Sequence, residues 1–416
     1  MRRRPDRWPP AAEHRAWLWD QVDALAAFGR ASVRPEGAFW WLDDDGHPDP
    51  TEPLHTWIAC RATHVNGLAH LLGDPGAAAV ADHGVAALTG VLRDPAHGGW
   101  FGSVGTDGAP VDDRKAAYPH AFVVLAAGTA TRAGRPGAAD LLGAALDVVD
   151  RHFWDHDLGR TRESWARDWS EPEPYRGANS SMHMVEAFLA AADATGEAEW
   201  NRRALGICEH LIHQVAAGRG WRLPEHFSAG WEPLPDYHAD RPADQFRPYG
   251  VTIGHAFEWS RLLLHVEAAL PAPPGWLLPA SVALFDSAVR RGWAVDGADG
   301  LVYTTDWDDT PVVRSRMYWV VAEAIGAAAT LRARTGEDRF ADRYATFWEY
   351  ARRYLVDGER GGWHQELDAD NRPAATVWRG KPDLYHAYQA ALLPLLPLAP
   401  TLAAGIAADP APADGS

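Results

Sequence analysis

Six times along its 416 residues the chain repeats one plan. An Ala/Leu-rich run comes first, then a connection rich in Gly, Trp and Asp, then a second apolar run whose opening turn carries polar residues. The first runs cover about residues 11–30, 77–93, 138–154, 197–216, 276–292 and 338–356. The connections include GAFWWLDDDGHPDP, GGWFGSVGTDGAP, LGRTRESWARDWSEPEPYRG, GRGWRLPEHF, DGLVYTTDWDDTP and GGWHQELDADNRP. In the second runs Arg61, His120, His183, His255, Trp319 and His386 recur at intervals of roughly 60–70 residues, a period that marks a repeat architecture.

Both runs of each unit have helical spacing, and around 187–189 and 262–264 apolar residues nearly surround the axis, as in helices packed on both sides. Strand-like text such as GLVYTTDW and GWHQEL is short and confined to the connections. The expected fold class is all-α: an (α/α)6 barrel of six helical hairpins with short β-hairpins in the connecting loops. The second helix of each pair forms the inner ring. An open solenoid is the competing topology and would need polar caps on its terminal repeats. Polar residues spread over the whole chain favour closure, because only a ring brings the first and sixth units together. A single domain is expected over 1–400, with 401–416, rich in Ala, Pro, Gly and Asp, as a disordered tail.

The formal charge of −17 disfavours nucleic acid and anionic membranes as partners, since both require basic surface. Cys60 and Cys208 are the only cysteines and lack CxxC spacing, which fits a reducing cytoplasm and supports neither a disulfide framework nor a thiolate zinc site. MRRRPDRWPP lacks the apolar run of a signal peptide, and nothing approaches a membrane span. The 21 Trp and 19 His are unusual. Many indoles fall in the connections, where they could be packing lids or walls suited to the apolar faces of sugar rings.

The stretch 245–265, QFRPYGVTIGHAFEWSRLLLH, places His255 in the first turn of a helix just after Gly250 and Gly254. The positive end of the helix dipole favours a neutral, proton-accepting imidazole there, while Glu258, three residues on, pulls the other way and could orient the ring. Six inner-helix starts at one mouth would gather Arg61, Tyr118, His120, Asn179, His183, His255, Glu258, Trp319, Gln365 and His386. Three histidines could ligate a metal, but no HxxxH or HxH pair exists, so no metal is expected. Arg61 could instead pair with a carboxylate, Gln365 could hold its own hairpin, and Asn179 could be a helix N-cap.

The strings NSSMHMVEA, YGVTIGHAFEW and KPDLYHAYQA resemble the three histidine motifs of the N-acylglucosamine 2-epimerase superfamily, over about residues 57–393. The KPDLYHAYQA ending is most similar to its aldose–ketose isomerase branch. The resemblance implies an (α/α)6 barrel acting on a free monosaccharide, with His255 and His386 as the acid/base pair. It also implies His183 as the third histidine, Glu258 as the carboxylate on the His255 helix and Arg61 as a contact to sugar hydroxyls. Asn179, Arg247 and Gln365 fall near pocket-lining positions, and Tyr118 and Trp319 complete the expected substrate-binding set.

The activity implied is conversion of an aldose, D-mannose foremost, to its ketose through an enediol, by a monomer or small homo-oligomer. Such chemistry needs a base that is neutral near pH 7 and can return its proton, which suits histidine. No cofactor is expected, since neither GxGxxG after a strand nor a Walker-type loop occurs. A 2-epimerase shares the first step. A sulfonated hexose would need an anion contact that Arg162, Arg167 or Arg247 could supply. A glycoside hydrolase would need paired acids, for which Asp306, Asp308 and Asp309 are candidates.

Overall fold

The computed structural model describes residues 11–408, and its backbone is dominated by thirteen α-helices. In chain order these are α1 (Ala11–Gly29), α2 (Thr56–Leu71), α3 (Ala77–Thr89), α4 (Ala117–Arg132), α5 (Ala138–Val148), α6 (Ala178–Thr195) and α7 (Ala198–Cys208). Then follow α8 (Ile253–Ala269), α9 (Leu277–Gly292), α10 (Tyr318–Thr335), α11 (Asp338–Tyr350), α12 (Tyr385–Leu392) and α13 (Leu402–Ala408). The even-numbered helices are buried almost all round, as their weakly patterned apolar sequences require. The outer helices bury one stripe each; α11 buries Phe340, Phe347, Trp348 and Tyr350 and leaves its charges outside.

The inner helices pack in the cycle α2, α4, α6, α8, α10, α12 and back to α2, so the ring is closed. Each outer helix from α3 to α11 packs on the inner helix before it, and α1 packs on α12. The N-terminal helix therefore completes the last hairpin. Three outer helices, α5, α7 and α11, widen into π turns over Val149–Phe153, Glu209–Ala216 and Ala351–Leu355 before the chain leaves them.

The small strands do more than form hairpins within connections. Residues just before an inner helix pair antiparallel with the following connection: Leu54–His55 with Ser103–Val104, Lys115–Ala116 with Ser164–Trp165, and Tyr175–Gly177 with His226–Ser228. Val251–Thr252 with Thr304–Thr305 and Arg316–Met317 with Glu366–Leu367 repeat the pattern. The first N–H of each helix then donates to one carbonyl of that connection: Thr56 to Gly102, Ala117 to Glu163, Ala178 to Glu225, Ile253 to Tyr303 and Tyr318 to Gln365. Helix N-termini otherwise leave such donors unpaired. The stitch fixes where five of the six inner helices begin, at one end of the barrel; α12 instead gives its first N–H to Asp383 Oδ1 at 3.0 Å.

A second recurring device holds three connections. An aspartate just after an outer helix pairs with a basic residue just before the next inner helix: Asp94 with Lys115 at 2.9 Å, Asp296 with Arg316 at 2.7 Å and Asp357 with Lys381 at 2.6 Å, each pair with its side chains buried.

The expected tail is corrected in part. Leu402–Ala408 is helical and buries Ala403, Gly405 and Ile406, because the segment carries apolar residues at helical spacing and lies across the far end of the barrel. Residues 409–416 lie outside the described residues. Among the described residues no helix is long and apolar enough to cross a membrane.

Candidate active site

The stitched helix starts surround a cavity of about 570 Å³. Arg61, Tyr118, Asn179, His183, His255, Glu258, Trp319, Gln365 and His386 all line it. Its upper walls are Trp57, Phe246, Tyr303, Tyr318 and Trp378, drawn largely from the connections.

His255 sits in the first turn of α8 and His386 at the second residue of α12. Each ring is held at Nδ1 by a buried carboxylate: His255 by Glu225 Oε2 at 2.9 Å and His386 by Glu323 Oε1 at 2.8 Å. A neutral imidazole that gives its Nδ1–H to a carboxylate keeps a lone pair on Nε2. Both rings therefore carry an oriented acceptor. The Trp319 indole lies between them, 5.2 Å from the His255 ring and 5.8 Å from the His386 ring. Gly254 permits this approach, since a Cβ there would lie 2.3 Å from Trp319 Cζ3. Gly250, at φ +90°, lets the chain turn against the Thr305 carbonyl on its way into α8.

The floor is a buried charge network. Burial opposes ionisation of Glu323, but the Arg261 guanidinium, 3.0 Å away at Nε, and His386 hold it at about 2. Burial lowers His386 itself below the ordinary histidine value, so it is neutral at pH 7. Burial, and then the Glu323 charge, push Glu258 well above the usual carboxylate range, so it is a neutral acid able to donate. Its Oε1 lies 3.8 Å from His183 Nδ1, and burial drives His183 down to about 4 although Glu186 stands 3.9 Å away.

His183, Glu186 and Glu258, and likewise Glu258, Glu323 and His386, each bring potential metal-ligand atoms within 4.8 Å. Arg261 already supplies a fixed cation here, 3.0 Å from Glu323 and 3.9 Å from Glu258, and a divalent ion would compete with it.

On the opposite wall Arg61 is buried against Asp383, gives a hydrogen bond to Tyr118 Oη at 3.1 Å and packs under the rings of Phe122 and Tyr385. Asp383 also accepts from Tyr318 Oη at 2.9 Å, and its carbonyl accepts from Gln365 Nε2 at 3.2 Å. Asn179 has a buried Oδ1 with no protein partner. These groups form a rim of hydrogen-bond donors and acceptors facing the histidines.

Three expectations change. Arg247 turns away from the cavity that its neighbours Gln245, Phe246 and Pro248 line, because Glu173 at 2.7 Å and Glu163 at 3.8 Å draw its guanidinium outward. His120 belongs to the second connection: its Nδ1 donates to the Ala116 carbonyl and its Nε2 accepts the Trp100 N–H. Glu258 does not orient His255; Glu225 does.

Arg162 pairs with Asp155 and Arg167 with Asp94. Asp309 pairs with Arg222 and Arg291, while Asp306 caps its own turn by accepting from the Asp308 and Thr310 N–H groups. None of these lines the cavity.

Sequence reasoning did not single out Glu225, Glu323 or Asp383 as site residues. A signal existed for Glu225. It occupies the same repeat position as Gln365, the residue whose carbonyl receives the first N–H of an inner helix, so aligning PEH with HQE would have found it. Glu323 lies four residues after Trp319 on one helix face.

A closed α/α ring with two carboxylate-held histidines across a cavity lined by aromatic rings and hydrogen-bonding groups fits an enzyme of acid–base chemistry on small polar molecules. The N-acylglucosamine 2-epimerase family profile matches residues 37–390, and the chain belongs to that family. It is 58% identical to a D-mannose isomerase of Thermobifida fusca over 96% of this chain and 98% of the relative. A D-mannose isomerase of Pseudomonas cannabina pv. alisalensis is 50% identical over 96% and 97% of the two chains. A crystal structure of a D-mannose isomerase superposes with a TM-score of 0.87 at 28% identity, covering 93% of this chain and 99% of the other.

Proposed function

We propose that the protein is an aldose–ketose isomerase that converts free D-mannose to D-fructose. The carrying observation is the pair His255–Glu225 and His386–Glu323 facing one cavity across Trp319. The D-mannose isomerase relatives, which this chain matches over nearly their whole length, support the substrate.

Isomerisation begins with opening of the hemiacetal ring, for which one histidine receives the anomeric O–H proton and a donor serves the ring oxygen. A neutral Nε2 then takes the C2 proton, and the carbonyl oxygen at C1 gains negative charge as the enediol forms. Donors already in place, Arg61 and the neutral acid Glu258, can stabilise that oxygen. The same imidazolium, once its proton has exchanged with solvent, delivers a proton to C1 of the cis-enediol from one face. The C2 hydroxyl proton leaves to the second histidine as the C2 carbonyl forms, and an equivalent proton is delivered to the C1 oxygen, so that no net proton is gained or lost. Each histidine's carboxylate stabilises the imidazolium that forms at mid-reaction.

Arg61 is the only Lys or Arg among the described lining residues, and Asp383 neutralises it. That favours a neutral hexose over a sulfonated one. The deciding experiment is incubation of D-mannose in D2O. Fructose carrying deuterium at C1 is expected as the main early product. Glucose labelled at C2, appearing first and without fructose, would establish a 2-epimerase instead.

A further inference from the structure

The first and sixth connections meet at a seam beside the catalytic cavity. Gly380 N–H donates to Asp44 Oδ1 at 2.9 Å there, and Lys381 N–H donates to the Leu42 carbonyl at 2.8 Å. Gly380, at φ +70°, makes room for the Trp41 indole, since a Cβ in its place would lie 2.6 Å from Nε1. Together with the loop around Gln245, the two connections enclose a recess of about 230 Å³. A water needs roughly 10–15 Å³ of such space, so the recess has room for a whole sugar ring. Trp57, Gln245, Phe246 and Trp378 line both the recess and the catalytic cavity and form the partition between them. Trp41, Glu52, His55 and Arg379 line the recess alone.

This lining combines stacking surface with free hydrogen-bonding groups. The His55 ring lies 5.6 Å from Trp41 and 5.9 Å from Trp57, and those two indoles meet edge to face at 6.3 Å. The wall continues onto Trp378, which lies 6.1 Å from Trp57 and 5.4 Å from Phe246. Strand pairing holds the backbones of Trp41 and His55, so the wall is preformed. Neither nitrogen of His55 has a hydrogen-bond partner among the described residues, and neither is sealed from solvent. Burial lowers His55 to about 4, so at pH 7 the ring is neutral and offers one donor and one acceptor. Gln245 Nε2 reaches the Val377 carbonyl only at 3.5 Å, which leaves most of its amide free. At the rim Glu52 and Arg379 pair with each other, so the recess carries no net charge.

We infer that this recess is a second carbohydrate site, which binds the closed pyranose ring of a neutral hexose outside the catalytic cavity. The indoles receive the C–H face of the ring, while His55 and Gln245 both give hydrogen bonds to its hydroxyls and accept them. A phosphorylated or sulfonated sugar would meet no unpaired cation there. The inference stands on the recess's own lining, and it holds or fails independently of the isomerase reading.

Methyl α-D-mannopyranoside, whose blocked anomeric oxygen prevents ring opening, is the probe. Soaked crystals should show it against the Trp41–Trp57 wall with a hydroxyl on His55, and a saturation-transfer NMR titration should show binding in solution. His55→Phe keeps a ring between the indoles and removes both hydrogen-bonding nitrogens, and Ala375→Leu narrows the recess from an exposed position. Neither residue lines the catalytic cavity, so binding lost in these variants reports the recess. Each should raise the Kd of the probe at least about threefold, the order of one lost hydrogen bond. Tm and turnover of D-mannose should stay close to those of the parent, which reports correct folding. Density confined to the His255/His386 cavity, ordered water alone in the recess, or binding at crystal concentration only would overturn the inference. So would a Kd unchanged in both variants. If a variant does not fold, the soaked crystal of the parent protein decides.

Discussion

At the scale of single residues, the proposed reaction divides labour between histidines that would move protons and the carboxylates that hold them. His255→Ala and His386→Ala should each lower kcat on the order of 10²–10⁴-fold with little change in Tm, read by steady-state kinetics and calorimetry. Glu225→Gln tests positioning. It keeps the shape and removes the charge that stabilises imidazolium, so kcat should fall by more than KM rises, and the pH–rate profile should move while Tm holds. Glu258 makes the opposite case. Its folded pKa is raised above the unfolded value, so above pH 4.5 the fold must hold a proton that the unfolded chain has released. Glu258→Gln, a neutral isostere, should therefore keep or raise Tm at pH 7. The histidines and Arg61 were legible in the sequence because a polar residue opening an apolar helix stands out against its neighbours. Arg247 misled because its loop bends there, turning its guanidinium to Glu173 while Gln245, Phe246 and Pro248 line the cavity. Glu225 hid in a connection with no periodicity of its own.

At the scale of elements, the inner-helix starts depend on the strand stitches and the buried ion pairs. Lys115 and Asp94 are both fully buried, and Arg167 remains near Asp94 if the lysine is lost. Lys115→Met should cost about 3 kcal/mol in urea denaturation, the low end for stranding a buried charge, and adding Asp94→Leu should recover part of it. Gly254→Ala should push Trp319 from its place between the histidines. A drop in kcat with a shift in tryptophan fluorescence would report the displacement, and unchanged kcat would show that the indole does not set the histidine spacing. The helical hairpins were legible from 3.6-residue periodicity. The pairing of strands between successive connections was not, because two-residue strands leave no alternation to read.

At the scale of the whole molecule, closure was legible from where polar residues recur, but the packing of α1 onto α12 was not, since nothing in α1 names its partner. Three buried histidines, His64, His183 and His265, have folded values of about 4 against 6.5 when exposed. The unfolded chain therefore binds protons first as pH falls. Their contribution is complete above pH 6.5 and is lost progressively down to about 4, so Tm should fall between pH 6.5 and 4.5 in calorimetry. One further consequence follows from the stitched mouth. The side chains proposed to move protons, His255 and His386, ride on the first turns of helices, whereas Trp57, Phe246, Tyr303 and Trp378 belong to or border the connections. Selection can thus reshape what the enzyme accepts by editing loops while the reaction itself stays anchored to the frame. A lineage built this way can diversify its diet of sugars without reinventing its chemistry.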